Sequence, residues 1–305
     1  MAMNVVFLNY LQQLKPLLVD GFANDTVFSN RTVQKVANRP DFLLPFRQKA
    51  PTIKKALETI YSDTDRLLKP EGLWNILVFR GVTYGSLYAA EDLRWFDSYL
   101  EWNKYYQASK KDRTKEYFVN TRAYGTVNRA RHIENILLYW NERHRWSGFI
   151  PKGLNVQDMF EFLIQKRGEG KARKTVFHNI GNLAALLVCG DLVELGILQM
   201  PTIEEWACII YKVGKGAVYG LQCLALLGPT FTKEECIFAF KTLHTFLLEK
   251  ISSEDRELMG YNIIMLEHSL CKFTRTLSKT EKPPKPSKPE KPTNQASGKK
   301  RQKII

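Results

Sequence analysis

The sequence predicts an all-α body followed by a disordered basic tail, on three observations. Apolar residues recur at helical three-and-four spacing along most of residues 1–278. No stretch there alternates apolar and polar residues convincingly, as a half-buried strand would. After residue 278 the chain turns to Lys-Pro repeats that cannot bury apolar surface. At 305 residues and 44% hydrophobic content, the chain can bury one large core or two modest ones, so the helices have something to pack against.

The spacing predicts helices over Asn4–Leu18, Thr52–Leu68, Leu73–Leu100 and Asn128–Glu142, with Lys, Arg, Glu and Gln between the apolar positions. Further helices are predicted at Val156–Gln165, Lys174–Leu195, Ile203–Tyr211, Ala217–Leu227, Lys233–Glu249 and Glu257–Thr276. Asn155 before "VQD" and Thr232 before "KEEC" read as N-caps, because a short polar side chain there can accept an orphan N–H of the first turn. "RGEGK" (Arg167–Lys171) and "LGPT" (Leu227–Thr230) read as breakers. No repeat of fixed period is evident, so residues 1–278 are expected to form one globular body, with 279–305 as a separate tail.

Charge and cysteine usage exclude several classes. The formal charge is +14, and residues 279–305 hold nine Lys or Arg against two Glu, so tail and body each carry about half of it. A basic body with a basic tail suits nucleic acid, the tail acting as a sequence-independent phosphate tether. "KKRQK" (Lys299–Lys303) would serve as a nuclear address in a eukaryotic chain or equally as part of that tether. No apolar run reaches the roughly 18 residues of a membrane span, and "MAMNVVFLNYLQQLKPLL" lacks a basic leader and a cleavage site, so the protein is expected to remain in the cytoplasm, without a membrane partner. Five cysteines without CxxC spacing (Cys189, Cys208, Cys223, Cys236, Cys271) read as reduced core residues, with neither metal nor cofactor expected. "GEGKARKT" lacks the spacing and ending of a P-loop, and no serine sits in a GxSxG elbow.

Three segments carry candidate chemistry. "VGKGAVYGL" (Val213–Leu221) places three glycines in seven positions, where main-chain N–H groups can approach an anion beside Lys212 and Lys215, with Gly214 and Gly216 as the contact points. In "FHNIGNLAALLVCGDL" (Phe177–Leu192), Gly181 and Asn182 open a buried helix that ends near Asp191. "LEHSLCKF" (Leu266–Phe273) offers Glu267 and His268 about 100° apart on a helix, so they need not contact the same ligand.

In order, "LWNILVFRGVTYGSL", "NIGNLAALLVCGDL", "VGKGAVYGL" and "LEHSLCKFTR" resemble the segments of the bacteriophage thymine-hypermodification helical family. These are the α-glutamyl or putrescinyl thymine pyrophosphorylases, or amino acid:DNA transferases, related to the helical domain of 5-hydroxymethyl-deoxyuridine DNA kinases. The resemblance covers residues 73–275. It departs at Gly81-Val82, where the family has Phe-Asn, at Asn182 and Lys215, where it has proline, and at Lys272, where it has a carboxylate.

The resemblance implies a helix-hairpin-helix fold like that of DNA glycosylases. It also implies transfer of an amino acid or polyamine onto a pyrophosphorylated 5-hydroxymethyl-deoxyuridine in DNA, with a separate DNA base kinase as a partner. Chemistry of that kind needs cations or N–H donors on the leaving pyrophosphate, a role for Arg80, Lys215 and His268, and an acceptor for the amine proton, a role for Asp191 or Glu267. A base flipped out of a duplex needs aromatic faces, for which Tyr84, Tyr124 and Tyr219 are candidates. Two alternatives stay open: a glycosylase-like enzyme removing a modified thymine or uracil base, and a non-catalytic DNA-binding module. The enzyme readings require Asp191, Glu267 and His268 to converge on one concavity.

Overall fold

The computed structural model describes residues 3–19, 27–123, 131–147, 155–168 and 174–277. These are mostly helical, and the strand content among them is one antiparallel ribbon that pairs Lys166–Arg167 with Lys174–Thr175. Tyr124 and the tail at 279–305 lie outside the described residues.

Several predicted helices are divided, each for a local reason. Pro16 cannot donate an N–H, so the first helix closes at Gln13 and a short turn, Pro16–Val19, follows. Asp63 accepts the Arg66 N–H at 3.0 Å and starts a new turn, Thr64–Leu67, apart from Pro51–Glu58. The Leu73–Leu100 prediction resolves into Pro70–Leu77, a π-helical turn at Val78–Thr83, a short helix at Leu87–Glu91, and an irregular stretch before the next helix, Tyr99–Ser109. Asn75 holds that stretch by donating to Phe96 O at 2.9 Å and accepting from Phe96 N at 3.2 Å. Gly260, at φ 64°, separates Ser253–Met259 from Ile263–Thr276. The predicted caps Asn155 and Thr232 both accept N–H groups, Thr232 within a reciprocal capping box with Glu235.

The helix expected from Lys174 begins eight residues later. Lys174 and Thr175 join the ribbon, and Asn179 takes a left-handed φ of 65°, which a continuous helix does not tolerate. The Asn182–Glu194 helix that follows is buried at every position from Ala184 to Val193. A helix apolar all round belongs at the centre of a molecule, and the Val156–Ile164, Ile203–Val213 and Val78–Thr83 segments pack around this one. The Ile263–Thr276 helix is similarly enclosed and lies against Ala217–Cys223. One continuous hydrophobic core runs through the described residues.

The π-helical turn is supported from outside. Widening the turn shifts the hydrogen bond to Tyr84 N→Phe79 O at 2.7 Å and leaves later carbonyls without their usual donors. Buried Arg131 donates to Arg80 O at 3.1 Å and to Val82 O at 3.4 Å, and Asn179 donates to Gly81 O at 3.0 Å. A side chain at Gly81 would place its Cβ 2.5 Å from the Tyr139 hydroxyl, so that hydroxyl and the turn can coexist only with glycine.

Candidate functional site

Asp191 sits in the last turns of the central helix and is the hub of a buried ion network. Arg80 donates to it through Nε at 2.6 Å and Nη2 at 2.5 Å, Tyr61 donates its hydroxyl at 2.7 Å, and Arg47 forms a further ion pair. Arg47 also donates to Leu187 O and, through Nε, to Glu194, each at 2.8 Å. Gly190 makes the approach feasible, because a Cβ there would stand 3.2 Å from Arg47 Nη2 and 2.9 Å from Ile264. Burial alone would raise the Asp191 pKa, but the charges of Arg80 and Arg47 outweigh it and hold the carboxyl below its ordinary range. Burial raises the Tyr61 phenol well above its usual value, with the Asp191 charge adding to the effect, so this hydroxyl remains a donor. Asp191 is thus saturated by donors, which corrects its expected role as the amine acceptor: it positions two arginines.

Glu267 is in the opposite state. It is 4% exposed, and among the described residues its carboxylate has no hydrogen-bond or ion-pair partner. Burial pushes its pKa from 4.5 up to about 7, against the opposing charges of Arg47, Arg275 and Lys272. One carboxyl held charged beside another poised near neutrality is the arrangement that separates an anchor from a proton acceptor.

Glu267, Arg47, Arg80, Cys271, Lys272 and Arg275 line a cavity of about 30 Å³, together with His268 and Tyr84. Glu267 and His268 therefore share a cavity, although neighbouring helix positions point about 100° apart. Asp191 does not line it and reaches it only through Arg47 and Arg80, so the convergence of all three residues expected for an enzyme is not met. His268 cannot serve as a cation there. Its Nε2 pairs with Leu44 O at 3.2 Å, and burial, reinforced by Lys272, Arg47, Arg275 and Arg80, pushes its pKa well below the ordinary value. Lys272 donates to Asp41 O at 2.9 Å and Phe42 O at 3.0 Å, and burial followed by the Arg275 charge lowers its pKa to about 7. Arg275 donates to Phe42 O at 3.3 Å and to Cys271 Sγ at 3.4 Å. Cys271 is half-buried rather than a core residue, as is Cys208, while Cys189, Cys223 and Cys236 are buried. No cluster of metal-ligating side chains occurs among the described residues.

A second, open cleft of about 520 Å³ adjoins this cavity, and Leu183 lines both. Its wall includes Gly181, Asn182, Lys215, Arg131 and Asn179. Gly181 is the N-cap of the central helix without a side-chain cap, so the first N–H groups of that helix open toward the cleft region. Lys215 stands in the hairpin between Ile203–Val213 and Ala217–Cys223, where Gly214 takes φ 62° and Gly216 φ 60°, ψ −99°. These angles, with Cys271 Sγ 3.2 Å from a Cβ at Gly216, are why the segment carries so little side chain.

Two of the predicted contact residues are committed elsewhere. Lys212 pairs with Glu161 at 2.6 Å and does not line the cleft, and the Asn182 amide donates to Lys212 O at 2.9 Å. Of the aromatic candidates, Tyr84 lines the smaller cavity beneath the Arg80 guanidinium at 4.7 Å, and Tyr219 is half-buried and lines neither space. Arg47, Tyr61 and Glu194 were not legible as site residues, because nothing in "PFRQKAP" or its neighbours distinguishes a buried arginine from a surface one. Compared with protein-family models, with curated proteins and with solved structures, the chain matches none.

Proposed function

We propose that this protein transfers an amine, from an amino acid or a polyamine, onto a pyrophosphorylated 5-hydroxymethyl-deoxyuridine in DNA, on a helix-hairpin-helix body of the glycosylase type. The observation that carries the reading is the unpartnered Glu267 carboxylate, poised at about 7 beside the arginines that Asp191 holds. In this reading Glu267 takes the proton of the incoming amine, which must be neutral to attack the base methylene. Lys215 in the adjoining cleft stabilises charge on the departing pyrophosphate, while Arg80, fixed by Asp191, supplies positive charge to the cavity that Glu267 lines. The nitrogen–carbon bond forms as the carbon–oxygen bond breaks, and pyrophosphate leaves with that electron pair.

The cavity of about 30 Å³ is too small for a nucleobase, so in this reading the base occupies the larger cleft with its reacting methylene toward Leu183. The +14 charge supports DNA as the polymer. The test is incubation of the full chain with DNA carrying the pyrophosphorylated base, with glycine, glutamate or putrescine, followed by nucleoside mass spectrometry. An amine adduct is expected, forming faster as pH rises through about 7 because the base must be deprotonated, and lost in Glu267→Gln. Abasic sites would replace this reading by a glycosylase. Unmodified DNA bound in a salt-sensitive way would replace it by a binding module.

A further inference from the structure

We infer that Lys272 is an imine-forming nucleophile, and that the cavity it lines with Glu267, Cys271 and Arg275 is a covalent site for a small carbonyl compound, an aldehyde or a 2-oxo acid. Lys272 is 4% exposed, and among the described residues it has no carboxylate within ion-pair distance. Buried lysines are rare unless an acid pairs with them. Its hydrogen-bond partners are main-chain carbonyls, Asp41 O at 2.9 Å and Phe42 O at 3.0 Å, in the short Pro40–Leu43 helix. The Asp41 carboxylate instead accepts the Thr52 N–H at 2.8 Å. Closing a helix end on two carbonyls takes two N–H groups, which a neutral amine possesses. The nitrogen lone pair is then left over, on a side chain that lines a cavity. Burial and the neighbouring Arg275 charge favour that neutral form, which is why the Lys272 pKa falls to about 7. Lys272 stands where the resembled family carries a carboxylate, so this role is particular to this chain.

The surroundings suit the chemistry. The lone pair attacks the carbonyl carbon, a nitrogen–carbon bond forms, and the carbonyl π pair moves to oxygen. One proton passes from nitrogen to that oxygen, and a second comes from the Glu267 carboxyl, which burial keeps partly protonated near neutrality. The carbon–oxygen bond then breaks, water departs with that pair, and the nitrogen pair closes the carbon–nitrogen double bond. The iminium nitrogen retains one N–H for two carbonyls. Arg275 already donates to Phe42 O at 3.3 Å, so Asp41 O keeps the iminium N–H and neither carbonyl is stranded. Size limits the ligand: a cavity of about 30 Å³ has room for about two water molecules, enough for a two-carbon carbonyl compound but not for a sugar or a pyridoxal. Leu183 lines both this cavity and the open cleft, which gives a small solute its approach.

The test needs neither DNA nor an amine donor, so its outcome is independent of the transferase reading. The full chain is incubated at pH 7 with glyoxylate and cyanoborohydride, which reduces an imine but not the adduct of a thiol such as Cys271, and adducts are located by peptide mass mapping. Glycolaldehyde replaces glyoxylate in a second arm. Lys272 is expected to react at least about tenfold faster than any other lysine, because an ordinary lysine at that pH holds less than about one free amine in a thousand. The chain's α-amino group, which titrates at about 8, is counted separately. A faster glyoxylate arm assigns the site to 2-oxo acids, and a glycolaldehyde arm as fast or faster assigns it to neutral aldehydes. Lys272→Arg keeps a cation and donors for both carbonyls but forms no imine, and is expected to lose the fast adduct at an unchanged thermal midpoint. Adducts confined to other lysines, with Lys272 reacting only once urea unfolds the chain, would overturn the inference and leave Lys272 as a helix cap. Persistence of the fast adduct in Lys272→Arg would overturn it too.

Discussion

Two buried carboxylates with opposite surroundings make opposite predictions. Glu267 has a raised pKa in the folded chain, so its contribution to stability is full below its ordinary 4.5 and lost as pH rises through about 7. The loss across that window is on the order of 3 kcal/mol. Because the lowered pKa of buried His268 makes stability rise with pH over part of the same window, the test is a difference. Chemical denaturation between pH 4 and 8 should show the slope of stability against pH becoming more positive in Glu267→Gln than in the unchanged chain, and an unchanged slope would place the charge elsewhere. Asp191→Asn should instead destabilise the fold by about 3–5 kcal/mol, because it strands two buried arginines. Tyr61→Phe, which removes one donor and leaves the carboxylate paired, should cost about 1 kcal/mol, and the two melting temperatures separate these cases. At this scale the sequence identified four of the residues that define the cavity and its hub, Asp191, Glu267, His268 and Arg80. Their roles were legible only in part, since whether a carboxylate is saturated or bare depends on partners more than a hundred positions away.

The elements were easiest to read where local chemistry alone decides them. Asn155 and Thr232 are caps in sequence and in structure, and a Thr232→Ala change should cost about 1 kcal/mol. Boundaries set by a proline, a positive φ or an enforced π turn were not visible in the periodicity, which continues through all three. The hairpin at Gly214–Gly216 gives the sharpest test of an element. Gly216→Ala combines φ 60°, ψ −99° with a crowded Cys271 and should destabilise the protein by about 1–3 kcal/mol. Lys215→Ala touches neither angle, so it should leave the melting temperature unchanged while weakening DNA binding. Lys212→Ala, whose charge is engaged by Glu161, should weaken it less.

For the whole molecule, charge and connectivity matter more than any single contact. DNA affinity should fall steeply with salt, and removal of residues 279–305 should reduce both the affinity and the salt slope while leaving the thermal midpoint of the body in place. The helical class was legible because it depends on short-range spacing; the packing order was not, because it depends on which distant faces meet. The Asp191 network shows what that distance means in time. Its bonds join residues 111, 130 and 144 positions apart, so the chain must close three long loops before the network rewards it. Such contacts belong late on the folding route. Asp191→Asn should leave the refolding rate nearly unchanged and accelerate unfolding, as stopped-flow denaturant jumps would show. The same cluster that holds the arginines in place would then also act as the latch that sets how long the folded protein lasts.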